Sequence, residues 1–269
     1  MKRSSLLPSL LLALALTLTG CGAAPSEASS DQTPAPQEGQ FVFTRENMPR
    51  LDGSTSTVPL AQAMCAVLLG ESPEDVSDLV QFSRTTQSYR TLIYGESDLL
   101  ISAEPADSIW QEKEDAGFEW EMAPFAIDGL VFVVNADNPV DSLTTEQIQK
   151  IYTGEITNWS QVGGDDVDII PFQRNEEAGS QTAFKNLVMK DLPLMTPPTD
   201  YVVDSMAGLI EAVESYNDSP GAIGYTMYCY ANDMEMAQGL KVLKVDGVTP
   251  SAQSIRDGDY PFLNPYFVS

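Results

Sequence analysis

The sequence predicts an α/β fold built on a parallel or mixed sheet, and three observations point to it. Short apolar runs suited to buried strands alternate along the chain with stretches of helical periodicity. The joins between them are rich in Ser, Thr and Gly, and they fall at strand ends, where sheets of this kind bind ligands. About 225 residues follow the N-terminal leader and spacer, enough for one large or two small domains. No internal repeat is visible.

The leader itself is Met1-Lys2-Arg3, an apolar stretch over 6–18, and Leu18-Thr19-Gly20-Cys21. A basic start, a short apolar core and small residues before a cysteine make residues 1–20 a secretory signal. The cysteine at its end resembles a lipobox, which implies a lipidated Cys21 and an extracytoplasmic protein held to the membrane. No other apolar run is long enough to span a bilayer. Residues 21–40 are Ala, Pro, Ser, Glu and Gln without apolar periodicity, a disordered tether.

Without the signal, 12 basic residues face 39 acidic ones, a net charge of −27. That charge argues against nucleic acid and anionic membrane surfaces as partners. There is no histidine. Ser-His-Asp and Cys-His catalysis are thereby removed, and no imidazole remains for zinc. Paired carboxylates hydrolyse glycosides without histidine, but none of the acids here sits in such a motif. The reading is therefore a non-enzyme without metal or cofactor. Cys65 and Cys229, far apart in sequence, read as buried free thiols in preference to a disulfide.

Taken in order, the first helix follows Ser54-Thr55-Ser56-Thr57. Pro59 suits its first turn, positions 60, 61, 64, 65 and 68 make one apolar face, and Gly70 ends it. Four hydroxyl residues in a row exceed what capping needs. Thr85 and Thr86 open a second helix, which ends at Gly95. Asp98–Ser102 reads as a buried strand, and Leu130–Val134 as a fully apolar one. Thr144 caps the next helix with Gln147 as its capping-box partner and Leu143/Ile148 as a staple; Gly154 ends it, and Trp159 packs.

Asp168–Phe172 reads as a short strand delivering Arg174 to a polar turn. A helix starts at Gly179-Ser180, with Ala183, Phe184, Leu187 and Val188 on its apolar face. Free N–H groups, a hydroxyl and a nearby guanidinium make a site for a tetrahedral anion. The same stretch also reads as an ordinary strand–turn–helix with a surface arginine. Ser205–Tyr216 is a further helix, Gly221–Tyr225 a strand, and Lys241–Val245 the last clear strand.

Five segments then resemble, in order, the phosphate-binding lipoproteins of phosphate ABC importers, within the type II periplasmic-binding-protein fold. They are Asp52–Pro59, Ser102–Pro105, Ile151–Trp159, Arg174 to Gln181, and Gly221–Tyr225. The resemblance implies two lobes with a ligand cleft between them, 41–126 plus 228–269 and 127–227. It implies inorganic phosphate as ligand, an ABC permease as partner, and anion contacts at Thr57, the Val58 N–H, Thr85, Ser102, Arg174, Gly179 and Ser180. Ser56 and Thr86, from the hydroxyl-rich helix starts, join that set. Glu176 matches an acidic position that pairs with the site arginine.

Two departures bear on selectivity. Ala178 stands where the family turn often carries serine, and Ala103 where one branch carries an aspartate that accepts the proton of hydrogen phosphate and so excludes sulfate. Asp128 and Glu104 are candidate substitutes for that carboxylate. A binder of another tetrahedral oxyanion, or a sensory or structural protein on the same fold, stays open as an alternative. The family usually continues beyond the position of Ser269 into a helix on the first lobe, so that lobe is expected to be short or finished another way.

Overall fold

Strand β3 (Ala123–Asn135) organises the fold, as described for residues 41–215, 220–233 and 239–269 in a computed structural model. The signal peptide, the tether and Cys21 lie outside the described residues. The N-terminal half of β3 pairs antiparallel with β11 (Leu263–Val268), from Leu263↔Gly129 to Val268↔Ala123. Its apolar half, Leu130–Val134, pairs with β8 (Ala222–Met227), and its end with β9 (Leu240–Val242). The sheet order is β1-β2-β11-β3-β8-β5, where β1 is Leu51–Gly53, β2 is Leu99–Ser102 and β5 is Ile170–Pro171; β9 lies on β3. Parallel pairs (β1–β2, β5–β8) coexist with antiparallel ones, the mixed α/β sheet that the sequence predicts.

The helices form where caps and apolar faces direct them. Helix α1 (Val58–Leu69) has Pro59 in its first turn and ends at Gly70 with φ 68°, a left-handed stop. Helix α2 (Thr85–Ile93) and helix α3 (Asp107–Ala116) follow. Successive residues of β2 face opposite sides, so Ile101 packs on α1 with Ala61 and Cys65, while Leu100 packs with Tyr89, Leu92 and Ile109 of α2 and α3. Strand β4 (Ser142–Leu143) leads to α4 (Thr145–Thr153). At its start the Thr144 hydroxyl accepts from the Gln147 N–H at 3.1 Å, and the Thr144 N–H donates to Gln147 Oε1 at 2.8 Å.

The segment expected to be one short strand at 168–172 is shorter still. It resolves into β5 and the two-residue β6 (Gln173–Arg174), which pairs with β7 (Val202–Val203). The next helix begins as α5 (Gly179–Ala183) and continues as a π-helical turn, Phe184–Met189. Phe184 stacks on Tyr225 of β8 at 4.3 Å between ring centroids, inside an aromatic cluster with Phe132 and Tyr152. Aromatic pairs of this kind add about 1 kcal/mol each beyond area burial, which fixes α5 on the sheet. Helix α6 (Met206–Ser215) covers β8, and Trp159 is buried with its Nε1–H donating to Gly221 O at 2.9 Å.

Lys241–Val245 is not the last strand. It divides into β9 and β10 (Lys244–Val245), the latter beside β4; α7 (Ala252–Arg256) and β11 follow. Leu243, Val245, Ile255, Tyr260 and Phe262 belong to the same large core as Leu130–Val134, and β11 reaches β2, at Phe267↔Ser102 and Val268↔Ile101. Ser269 exchanges backbone bonds with Leu100 at 2.9 and 3.2 Å, which extends the β11–β2 pairing by one residue. Cys65 is a buried free thiol as expected, whereas Cys229 is only half-buried and its Sγ donates to Ser56 O at 3.4 Å.

Candidate functional site

A cavity of about 570 Å3 opens where the ends of β1 and β2 and the start of α2 meet the turn between β6 and α5. On the first side Ser54 is the hub. Its Oγ lies 2.9 Å from both Thr85 Oγ1 and Ser102 Oγ, and it accepts the Ala103 N–H at 3.0 Å. Ser54 reaches this place because β1 lies close against β2 at Gly53, where a Cβ would stand 2.0 Å from Ile101 O. Asp52, also buried, orders the neighbouring loop: its Oδ1 accepts the N–H groups of Gly53 and Ser83, and its Oδ2 the hydroxyls of Ser83 and Thr91, all at 2.6–2.8 Å.

On the facing side, Arg174 is 6% exposed, and its guanidinium is held by neutral oxygens alone. Nε donates to Val203 O at 2.9 Å, an Nη1 proton to Ser180 Oγ at 3.1 Å, and an Nη2 proton to Asp204 O at 3.0 Å. A guanidinium has five N–H donors, so two stay uncommitted among the described residues. The backbone is fixed as well: the Arg174 N–H donates to Tyr225 Oη at 3.1 Å, and Tyr225 in turn bonds Gln181. Burial lowers the pKa of Arg174 from its ordinary value; the positive charge of Arg84 acts in the same direction and Tyr225 against it. The charge of Asp204 also acts against burial, but no carboxylate among the described residues is in ion-pair contact with the group, and an incoming anion would supply that contact.

The two sides touch at one rim. Gly179 is packed so closely on Thr85 that a Cβ would lie 2.2 Å from Thr85 Oγ1. Thr86 donates its hydroxyl to Glu177 O, and Arg90 pairs with Glu177 at 3.0 Å.

Of the residues predicted from sequence, Ser56, Thr85, Thr86, Arg174, Gly179 and Ser180 line this cavity. Others do not. Ser102 is fully buried behind Ser54. The Thr57 hydroxyl donates to Ser54 O and Ile101 O, and the Val58 N–H to Thr55 O, because the chain makes a tight 3-10 turn before α1. Asp128 lies in a neighbouring cavity of about 310 Å3, accepting from the Gly129 and Cys229 N–H groups, with Tyr266 Oη 3.0 Å away. Glu176 pairs with Lys185 at 2.9 Å and not with Arg174, and Glu104 accepts from Asn186 at 3.1 Å outside the cavity. Neither candidate substitute for the missing carboxylate therefore faces it.

Among the further lining groups are Ser54, Arg84, Arg90 and Tyr230. Ser54 was signalled by the run of four hydroxyls. Arg84 stood in view inside Ser83-Arg84-Thr85-Thr86, but nothing local told where it points.

A family model for the PBP superfamily domain matches residues 30–269. The phosphate-binding protein PstS of Bacillus subtilis is 25% identical over 266 residues, which cover 97% of this chain and 81% of the relative. Among solved structures, a putative phosphate ABC transporter substrate-binding protein with bound phosphate from Clostridium perfringens superposes with a TM-score of 0.64 at 26% identity, covering 81% of this chain and 84% of that one. An ABC-type phosphate transport receptor from Vibrio cholerae gives 0.56 at 25% identity, with coverage of 81% and 84%.

Proposed function

This chain belongs to the PBP superfamily, and within it we propose that it is a lipid-anchored, extracytoplasmic solute-binding protein that captures inorganic phosphate for an ABC importer. The observation that carries the reading is Arg174: a buried guanidinium without a carboxylate partner, its free N–H groups beside the hydroxyls of Ser180, Ser54, Ser56 and Thr85 at one cavity. The family resemblance and the phosphate held by the Clostridium perfringens relative support the choice of anion.

The cleft lies between two lobes in this reading. The division expected from the sequence, 41–126 plus 228–269 and 127–227, is moved in this reading to 41–126 with β11 and 127–262, because Leu243, Val245, Ile255, Tyr260 and Phe262 pack with Leu130–Val134; the crossovers then lie in β3 and at β11. Each lobe offers part of the donor set, so the anion is fully held only when the lobes close, and the contacts of Thr86 and Arg90 with Glu177 latch that form. Ser56, Thr85, Arg174, Gly179 and Ser180 are the contacts; Thr57, Val58 and Ser102 hold the first wall in shape, and Asp128 belongs to the crossover. Neutral hydroxyls and N–H dipoles in a dry cleft hold a dianion without a surplus of cations, and the surface acids are screened over about 8 Å at physiological salt. The lipid at Cys21 keeps the protein beside its permease, and the support for that step is the sequence Leu18–Cys21.

Isothermal titration with phosphate tests the proposal. Saturable heat at one site per chain is the expected result. No heat with phosphate, sulfate, molybdate or tungstate would move the protein to a sensory or structural role on the same fold.

A further inference from the structure

Arg84 has three properties that do not occur together by default. Its φ is 81° and its ψ 161°, a backbone region that is essentially glycine territory. Its side chain is exposed and lines the cavity that holds Arg174. Its guanidinium makes no hydrogen bond or ion pair among the described residues, in a chain with 39 acids.

The backbone is forced from both sides. Before it, Ser83 is pinned to Asp52 through its N–H and its hydroxyl; after it, Arg84 O accepts the Ser88 N–H at 2.8 Å as the first bond of α2. A glycine would sit there without strain. The position carries a long cation instead, aimed into a cavity that already contains a buried cation. Of the three guanidiniums that line this space, Arg90 is paired with Glu112 and Glu177, while Arg84 and Arg174 have no carboxylate in ion-pair contact among the described residues; the lining carboxylates already accept bonds from other groups. Glu177 is bound by Arg90 and Ser108, and Asp204 accepts from Asn175 at 3.2 Å. Where a proton-reading aspartate is expected, the cavity presents Ala103.

We infer that Arg84 is a second anion-binding cation of this site, and that the site selects tetrahedral dianions by charge, taking sulfate as well as hydrogen phosphate. The inference rests on the anion-binding reading of the cavity and specifies its ligand class. Hydrogen phosphate differs from sulfate by one O–H, and only a committed acceptor tells them apart. The groups left to meet that O–H are the hydroxyls of Ser54, Ser56, Thr85 and Ser180, which rotate to donate or to accept. They serve both ions. The charge that a discriminating carboxylate would subtract is here replaced by one that Arg84 adds, and this also explains why a strained backbone is kept.

The test is titration of the full chain and its Arg84→Gly, Arg84→Lys and Arg174→Ala variants with sodium phosphate and sodium sulfate at pH 7.5 and fixed ionic strength, with thermal melts alongside. Expected are wild-type dissociation constants for the two anions within about tenfold of each other. Arg84→Gly should weaken both by at least about tenfold, since a charge-assisted contact is lost, while its Tm stays level or rises because glycine relieves φ 81°. Arg84→Lys should fall between them. Phosphate binding by Arg84→Gly at wild-type strength, or a wild-type preference for phosphate over sulfate beyond about a hundredfold, overturns the inference while the Arg174-dependent site stands. A wild-type chain that binds neither anion removes the anion-binding reading itself.

Discussion

Ser83 is bound twice to the carboxylate of Asp52, through its N–H at 2.7 Å and through its hydroxyl at 2.6 Å. The Gly53 N–H and the Thr91 hydroxyl complete four donors on one buried acid. Sequence-adjacent β1 is thus tied to the loop before α2, thirty-one residues away, and the tie sets where Arg84 and Thr85 stand. Replacing Asp52 by alanine leaves these donors unmet in a buried place. Unpaired buried donors cost about 1–3 kcal/mol each before relaxation, so Asp52→Ala should lower unfolding stability by roughly 3 kcal/mol, measured by urea denaturation. Asp52→Asn keeps an acceptor and should lose less. An unchanged midpoint in the alanine variant would mean that the loop is held otherwise.

Arg174→Ala should reduce phosphate affinity by about a hundredfold or more, because two charge-assisted contacts go at once. Arg174→Lys should recover little. The three oxygens that hold the guanidinium, Val203 O, Asp204 O and Ser180 Oγ, match a planar fork and not an ammonium. Titration calorimetry decides, and full binding by the lysine variant would show that charge without geometry suffices.

Gly179 is at the rim where Thr85 approaches within 2.2 Å of a hypothetical Cβ. Gly179→Ala must therefore push the Thr85 hydroxyl, and with it Ser54 Oγ, off the line that joins the two walls. Affinity should fall by at least about tenfold while Tm changes by only a few degrees, since the displaced groups lie at a cavity and not in a core. Wild-type affinity in this variant would mean that the contact loosens in solution.

Much of the scaffold was legible because its signals are local. Pro59 and Gly70 bracket α1, Thr144 and Gln147 fix the start of α4, and the unbroken apolar run Leu130–Val134 made β3 plain. What stayed hidden depends on residues far apart. Leu263-Asn264-Pro265-Tyr266-Phe267-Val268 contains Asn and Pro and breaks strand alternation, yet it lies between β2 and β3. Proline is tolerated because β2 pairs only with Phe267 and Val268, so Pro265 is spared a donor's duty on that edge. The same holds at the site. Arg174 and Ser180 were readable from one turn, whereas the hub role of Ser54 needs Thr85 and Ser102 beside it, and the aim of Arg84 is set by Asp52 and Ser88. Asp128 and Glu104 were chosen for chain position, and packing gave them other partners.

Asp128 makes a pH signature. It is 4% exposed, and burial raises its carboxyl pKa, against the hydrogen bonds from Cys229, Gly129 and Tyr266, which act to lower it. A carboxyl whose folded pKa exceeds its unfolded one binds more protons in the native state, so stability falls as pH rises through that interval. The destabilisation is absent below the ordinary aspartate range, grows as pH climbs toward the raised native value, and is complete above it. Asp128→Asn stays neutral, and its amide oxygen still accepts the Gly129 and Cys229 N–H groups. The difference in unfolding free energy between Asp128→Asn and wild type should therefore move in favour of the variant as pH is raised from about 4 to 7, read from urea denaturation at several pH values. A difference that is flat across that range, or that moves toward wild type, would place the Asp128 carboxyl in a more polar setting than its burial between Tyr266 and Cys229 indicates.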